Sequence, residues 1–449
     1  MIITNVTIVT MDLKNSIIAG GAVAFQDDII LDAGPEQEIL STYPGHESLD
    51  GGGRLLMPGL INAHMHLYGA FARGLALKEA PPATFVEILE RLWWRLDRTL
   101  DEEAIRWSAL PIHIQAIRSG VTTLFDHHAS PASVNGSLDI LAGAFREAGL
   151  RACLCYEVSD RDGEQVRDAG IRENIRFLER CRKESSPLLK GMFGLHASFT
   201  LSDNTLAKCK EATTDIGAGF HVHCAEAASD LEHAREHFGM TVVERFARQG
   251  IASPGSILAH CVHITDGDMA LLAEYGAWVV HNPRSNMNNA VGCAPIPEMM
   301  RRGITPALGT DGMSAGMMDE IKTAMLIHRH EARDTRTFFA EPVDMLLKNN
   351  ARLATATFGI PLGVIEKGAA ADMILIDYYP PTPLTSGNLA GHILFGIAHA
   401  PVDTTIAAGS ILMKGGKLTV LDEKETASRA REAAVKTWKR FSVNPNVRG

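Results

Sequence analysis

The sequence predicts an α/β protein: a (β/α)8 barrel of TIM-like type, with a small β-sandwich domain built from both chain ends. Three observations predict it. Residues 58 to 358 alternate short apolar runs with helical ones, and the apolar runs number eight. Those runs are almost continuously apolar, as strands covered on both faces by helices must be. Short β-branched runs broken by Gly and Asp fill residues 1–57, and similar runs return within 359–422. An open doubly wound sheet would show the same alternation, and the count of eight favours the barrel.

The expected strands are LINAHMH (60–66), VTTLFDHH (121–128), RACLCYEV (151–158), GMFGLHA (191–197), GFHVHCAE (219–226), SILAHCV (256–262), WVVHNP (278–283) and TPALGTD (305–311). Helical patterns between them include TFVEILERLWWRLD (84–97), DMALLAEYG (268–276) and residues 101–119, the last with an interruption at Pro111. Trp93 and Trp94 share the first of these with Leu92 and Leu96, which predicts core or subunit packing. IITNVTIVTMD, GGAVAFQDDIILDAG and RLLMPG, with AADMILIDY (370–378) and TTIAAGSILMKGGKLTV (404–420), predict one composite β domain, 1–57 plus 359–422, around a barrel at 58–358. The remainder, 423–449, opens with a charged amphipathic helix over 423–441 and carries no evident chemistry.

Composition narrows the function classes. The 449 residues carry 43 Lys and Arg against 53 Asp and Glu, a net charge of −10, with no basic run, so no nucleic-acid partner is expected. No uncharged apolar stretch of ~18 residues occurs, so no membrane span is expected. The first residues lack the basic and apolar pattern of a secretion signal. Seven cysteines without a CxxC pair predict free thiols in a reducing, cytoplasmic setting, with Cys153 and Cys155 in the core.

Chemistry belongs at the C-terminal ends of barrel strands. There the sequence places His64 and His66, then Asp126-His127-His128, His196, His221 and His223 with Glu226 just beyond, His260, His281 and Asp311. His64 and His66 are two apart on a strand and point the same way. His64, His66, His223 and Asp311 would supply three imidazoles and a carboxylate to one divalent ion, Zn2+ or Fe2+. Their strands are the first, fifth and last, which meet only if the sheet closes. A bound ion would lower the pKa of water from 15.7 to roughly 7. Glu226 is then the proton shuttle, and His260 a polar group for the developing alkoxide.

PGLINAHMH, FHVHCAE, LAHCVH, HNPRSN and LGTDG resemble, in order, the motifs of the amidohydrolase superfamily, in its mononuclear cytosine, guanine, S-adenosylhomocysteine and chlorotriazine branch. WWRLDRTLDEEA, DHHASP and SNMNNAVGCAP resemble the SsnA-type aminohydrolases. The resemblance implies the same metal ligands, His64, His66, His223 and Asp311, and Glu226, His260 and Asp311 as catalytic groups. It implies a substrate contact at His196 and leaves His221 as packing. It also implies a homodimer and hydrolytic deamination of an aminated purine, pterin, pyrimidine or triazine by metal-bound hydroxide. Binuclear relatives bridge two ions with a lysine at the fourth strand end; GMFGLHASFT has none, and Lys190 precedes the strand, so one ion is expected.

Further expectations rest on position. Residues 67–82 lack periodicity and could form a lid, with Arg73 and Glu79 as substrate contacts. Asp126 and His127 are expected to line the site. Arg284 and Asn286 in HNPRSN sit at the seventh strand end, where loop hydrogen bonding is the ordinary use. His113, His233, His237, His328, His330 and His399 read as structural or surface residues. Cyclic amide hydrolysis, or removal of chloride or an alkylamine, is the alternative chemistry on the same metal. A catalytically dead scaffold is the weakest reading, because every ligand and the acid/base pair are present.

Overall fold

A computed structural model describes residues 1–443; residues 444–449 of the expected tail lie outside the described residues. Five strands come first: β1 (Ile2–Val9), β2 (Ile17–Gln26), β3 (Ile29–Pro35), β4 (Ser48–Asp50) and β5 (Leu55–Pro58). The central region holds β6 (Leu60–Met65), β7 (Val121–His128), β8 (Arg151–Tyr156), β9 (Leu189–Gly191), β10 (Phe193–Ala197), β11 (Phe220–Cys224), β12 (Ile257–His260), β13 (Trp278–His281) and β14 (Pro306–Leu308). β15 (Met373–Ile376), β16 (Val402–Ala407), β17 (Ser410–Lys414) and β18 (Lys417–Leu418) come last.

All eight apolar runs are strands, and the fold is mixed α/β. The fourth run is divided: β9 pairs with β8, while β10 pairs with β11, so the chain steps from one sheet to the next at Met192. The central strands form two parallel sheets, β6-β7-β8-β9 and β10-β11-β12-β13-β14. Parallel bridges join Val158, just past β8, to Leu195 of β10, and Met65 of β6 to Asp311, just past β14. Both faces are buried, as the apolar runs require. Leu258 and Val279 pack into the core shared with the helices, while Ile257 and Val280 join a separate cluster with Phe125, Ala307, Cys153 and Cys155. Cys153 and Cys155 are thus core residues, as expected.

Strands from both chain ends meet in one sheet, ordered β18-β17-β16-β15-β5-β1-β2-β3, with β4 beside β1. The joint is the antiparallel pairing of β15 with β5, Met373 opposite Pro58. Two sheets facing each other, the expected sandwich, are not among the strand pairings of the described residues. Only Gly59 separates β5 from β6. A Cβ there would lie 2.4 Å from Thr122 Oγ1, so the crossing from the terminal sheet into the first central strand requires glycine.

Two helical expectations change. Glu102–Arg118 is one continuous helix with Pro111 inside it. Burial of Ile105, Ala109, Ile112 and Ala116 outweighs the single hydrogen bond that proline removes. Residues 84–97 are not a regular helix: a π-turn at Leu89–Trp93 separates Phe85–Ile88 from Trp94–Asp97. Such turns re-aim side chains, and here they turn both tryptophans towards a cavity.

The C-terminal helix, Glu423–Val443, is more than a polar appendage. Trp438 Nε1–H donates to the Phe71 carbonyl at 2.7 Å, and Arg440 Nε–H to the Thr99 carbonyl at 2.9 Å. Within the expected lid, Leu67–Ala72 is therefore a buried 3-10 turn fixed by this helix and by Asp126, whose carboxylate accepts the Leu67 N–H at 2.8 Å. No helix among the described residues is long and apolar enough to cross a membrane.

Arg151, fully buried at the start of β8, ties the terminal sheet to the central strands. Its guanidinium donates to both oxygens of Asp372 at 3.0 Å, to Asp28, and to the Pro187 carbonyl at 2.9 Å. A buried charge stripped of its partner is strongly destabilising. Asp372→Ala is expected to cost about 3–5 kcal/mol in chemical denaturation. Asp266→Ala, which removes the exposed partner of Arg302, is expected to leave the denaturation midpoint near the wild-type value.

Candidate active site

Hydrogen-bond bookkeeping at the strand ends identifies which imidazole nitrogens are free. His66 Nδ1–H donates to the His127 carbonyl at 2.6 Å, and His223 Nδ1–H to the His196 carbonyl at 2.9 Å. In neutral rings both Nε2 atoms then carry bare lone pairs, yet they face each other at 3.1 Å. His64 Nδ1 meets His221 Nε2 at 2.8 Å, and the buried His64 Nε2 has no hydrogen-bond partner among the described residues. Asp311 Oδ1 lies 3.0 Å from His66 Nε2 and 3.7 Å from His64 Nε2. Its Oδ2 accepts from the Ser285 hydroxyl. Donor atoms of His64, His223, His260 and Asp311 all fall within 4.8 Å of one another, and those of His66, His127 and His223 form an overlapping set.

Converging acceptors at such distances repel unless a proton or cation lies between them. Ligand–ligand separations of about 3.3 Å are what a four-coordinate ion with bonds of 2.0–2.1 Å imposes. The residues present therefore fit a small divalent ion. Without one, protons must balance the charges. Burial opposes protonation of His66, but the Asp311 carboxylate lifts its pKa to about 9, while burial drives His64 down to about 3.

The backbone is bent to bring these groups inward. Ala225, His260, Cys261 and Asp311 all have positive φ, from 47° to 75°, each at or just beyond a strand end. Gly309 lets the segment after β14 pass close to His64: a Cβ there would sit 2.7 Å from the His64 carbonyl oxygen and 2.5 Å from Asn282 Oδ1. Thr310 and Asp311 then donate their N–H groups to that carbonyl at 2.9 and 3.0 Å.

Glu226 faces this centre. Its Oε2 is 3.5 Å from His260 Nε2, and Asn289 donates to Oε1 at 3.3 Å. Burial raises its pKa to about 7, against the pull of His260. A carboxyl so placed exchanges protons near neutrality. His260 is aimed by Asn286, whose Oδ1 accepts the Nδ1–H at 2.8 Å.

A cavity opens over the centre, walled by Trp93, Trp94, Phe199, His196, Glu226 and Asp311 among others. His196, expected to contact substrate, lines it, with Nδ1–H donating to Thr200 Oγ1 at 2.6 Å. Trp93 and Trp94 also line it, which corrects the packing expectation. Asp126 and His127 do not reach it; they stand behind the centre, the first holding Leu67 and the second holding His66 through its carbonyl. Arg73 and Glu79 lie outside the cavity as well: Arg73 donates to Gln115 at 2.9 Å, and Glu79 pairs with Arg95 at 2.8 Å. The start of their segment is pinned by the C-terminal helix at Phe71, and of residues 67–82 it is Tyr68 that lines the cavity. Arg284 pairs with Glu320 and Asp319, a loop-tethering use as expected. His281 contacts His328 at 3.2 Å rather than the centre.

Sequence reasoning missed Glu157, Asp97, Asp230 and Ser285. Glu157, buried in the cavity wall, lies 3.3 Å from His127 Nδ1 and 3.6 Å from His196 Nε2. Burial alone would raise its pKa, but these two histidines hold it well below the usual carboxylate range. It comes directly after CLCY at a strand end, the one cue available. Asp97 and Asp230 lie on helices and carried no strand-end signal.

Imidazoles and carboxylates gathered where parallel strands of an α/β fold end form a candidate hydrolytic centre. The chain belongs to the amidohydrolase family, whose pattern matches residues 55–412. It is 32% identical over 438 residues to a 5'-deoxyadenosine deaminase of Methanosarcina mazei, covering 97% of each chain. It is 29% identical over 445 residues to a 5-methylthioadenosine/S-adenosylhomocysteine deaminase of Pelotomaculum thermopropionicum, covering 97% of this chain and 98% of that one. An adenosine deaminase from Xanthomonas campestris with bound zinc shares the fold with a TM-score of 0.87 at 21% identity, over 98% of both chains. A guanine deaminase from C. acetobutylicum does so with a TM-score of 0.77 at 17% identity, over 91% of this chain and 99% of that one.

Because Asn286 accepts the Nδ1–H that orients the His260 ring, Asn286→Ala is expected to lower kcat by about 10–100-fold. Metal content, read by elemental analysis of the same preparation, is expected to stay at the wild-type level.

Proposed function

We propose that the protein is a metal-dependent aminohydrolase that removes an exocyclic amino group, as ammonia, from an aminated heterocycle of purine type, free or as a nucleoside. The observation that carries this is the convergence of His66 Nε2 and His223 Nε2, 3.1 Å apart with both Nδ1–H groups already donating to carbonyls, beside Asp311 and close to a protonatable Glu226. The 5'-deoxyadenosine and 5-methylthioadenosine deaminases among its relatives support the ring class.

In this reading His64, His66, His223 and Asp311 hold one divalent ion, zinc or iron. When bound, the ion supplies Lewis acidity that activates water near neutral pH. Glu226 accepts the proton that water gives up and returns it to a ring nitrogen, which makes the adjacent carbon electrophilic. The second proton of that water passes by way of Glu226 to the amino group, which leaves as ammonia as the new carbon–oxygen bond becomes a carbonyl. His260, held by Asn286, faces Glu226 and steadies the charge that develops on the attacking oxygen. Ser285 fixes one oxygen of Asp311, which leaves the other turned to the centre. His196 and the two tryptophans present a flat, half-polar surface to the ring.

We also take the two parallel sheets as a single closed (β/α)8 barrel over 58–358, set against a composite β domain of 1–57 and 359–422. The Val158–Leu195 and Met65–Asp311 bridges support closure, and the β5–β15 pairing supports the composite.

The test is ammonia release by zinc- or iron-loaded protein from a panel of aminated purines and their nucleosides, with pterins, pyrimidines and triazines as outliers. Glu226→Gln is expected to lower kcat by about 10²–10⁴-fold with metal retained, whereas His223→Ala is expected to lose the metal. Chloride or a ring-opened product in place of ammonia would overturn the deamination reading.

A further inference from the structure

The aromatic wall of the cavity stands on segments that cannot hold their own shape. Tyr68 belongs to the 3-10 turn Leu67–Ala72, and Trp93 and Trp94 sit where the π-turn Leu89–Trp93 meets Trp94–Asp97, in a helical run of only 85–97. Helical runs this short are marginal alone, and a wide turn shifts every face that follows it. Their orientation therefore comes from what packs behind them. The rings are nonetheless set closely against the centre. A Cβ on Gly312, next to Asp311, would lie 3.1 Å from Trp93 Cη2, and Trp94 meets His196 edge-on with ring centroids 5.9 Å apart.

Arg95, the residue after Trp94, carries that packing. It does not line the cavity, and it is only 9% exposed. Its guanidinium donates to Glu79 Oε1 at 2.8 Å and to the Phe441 carbonyl at 3.1 Å, and lies 4.1 Å over the Phe441 ring. A carboxylate, a carbonyl and a ring face met at once by one planar fork is a use peculiar to arginine. Phe441 is buried in the C-terminal helix, 346 residues away along the chain. Two neighbours on that helix grip the flanking segments: Trp438 through the Phe71 carbonyl, and Arg440 through the Thr99 carbonyl and the Asp101 carboxylate, both at 2.9 Å. Arg91, one turn before Arg95, donates to the carbonyls of Ala80 at 2.8 Å and Pro81 at 3.3 Å. The two arginines thus hold residues 79–81 against the π-turn.

We propose that Arg95 is a positioning residue for the substrate: it transmits the packing of the C-terminal helix to Trp93 and Trp94, and so sets the face against which the heterocycle lies, without touching it. This rests on the aminohydrolase reading for the identity of the ring, but not for the clamp. An aromatic face holds a flat ring alike before and during reaction, so its misplacement weakens binding and leaves the chemical step unchanged. The centre is held separately, because backbone carbonyls orient His66 and His223. Loss of the clamp is therefore felt in KM, whereas loss of Asn286 behind His260 is felt in kcat.

Two measurements on zinc-loaded protein test this: ammonia release from adenosine, and amide hydrogen exchange without ligand. Arg95→Met keeps the aliphatic stem and removes the donors. It is expected to raise KM by about 5–10-fold with kcat within about 2-fold of the wild type, and with zinc content unchanged. Exchange is expected to quicken at residues 85–97 while β6 to β14 keep their wild-type protection. Phe441→Leu, which removes the ring under the guanidinium, is expected to act on the same segment and on KM in the same direction by a smaller factor. It keeps the test open if Arg95→Met does not fold. An unchanged KM, a fall in kcat or zinc content that accompanies the rise in KM, or exchange that quickens throughout the molecule would overturn the proposal. No turnover of adenosine by the wild-type protein would count against the deamination reading for this ring; quickening confined to 85–97 would then still support the clamp, and unchanged exchange would overturn it.

Discussion

Two imidazole nitrogens facing each other across 3.1 Å, each with its opposite nitrogen already donating to a carbonyl, are the constraint on which the rest of this structure depends. The ring orientations are fixed by backbone, not by other side chains. His66 is held by the carbonyl of His127 on the neighbouring strand, and His223 by that of His196 on its own neighbour. Parallel pairing of β6 with β7 and of β10 with β11 therefore sets the tautomers before any ligand is considered. A shift of one residue in either register would point a different carbonyl at the ring and free the wrong nitrogen.

That constraint explains where the chain tolerates unfavourable backbone. Positive φ at Ala225, His260, Cys261 and Asp311 is a cost spread over strand ends that supply Glu226, His260 and Asp311. The bend at Ala225 is held by the next strand end along the chain: Val262 and His263 both donate to the Ala225 carbonyl, at 3.1 and 2.9 Å. The bends turn a side chain that would continue along the strand back over the open end of the sheet. Asp311 reaches His66 in this way, and Gly309 allows it because no Cβ intervenes between the segment after β14 and His64.

The sequence made the strands and their terminal histidines legible for a physical reason. A strand buried on both faces leaves an apolar run, so a polar residue at its end stands out against it, as His64, His223 and Asp311 do. Glu226 was legible through its spacing from His223. The residues that stayed hidden lack that contrast. Asp97 and Asp230 sit on helices, where a charged residue every few positions is ordinary, and only the π-turn at Leu89–Trp93 aims the first segment inward. The same turn reversed the expectation for Trp93 and Trp94, because helical periodicity assigns a face only if the helix is regular. Arg73 and Glu79 misled in the opposite direction. Their segment has no periodicity, but Trp438, near the far end of the chain, fixes its beginning, and no local pattern records so distant a contact.

The distribution of charge obeys the same division. At the strand ends, carboxylates and imidazoles converge without enough protons to satisfy them, an arrangement that a cation resolves. On the helical wall the charges are already matched: Arg161 binds Asp97 and lies 3.4 Å from the Asp162 carboxylate, and Asp162 in turn holds Arg98 at 2.6 Å. The groups left unbalanced are therefore those that the strand ends bring together, because parallel pairing fixes their rings and leaves no freedom for them to turn away from one another.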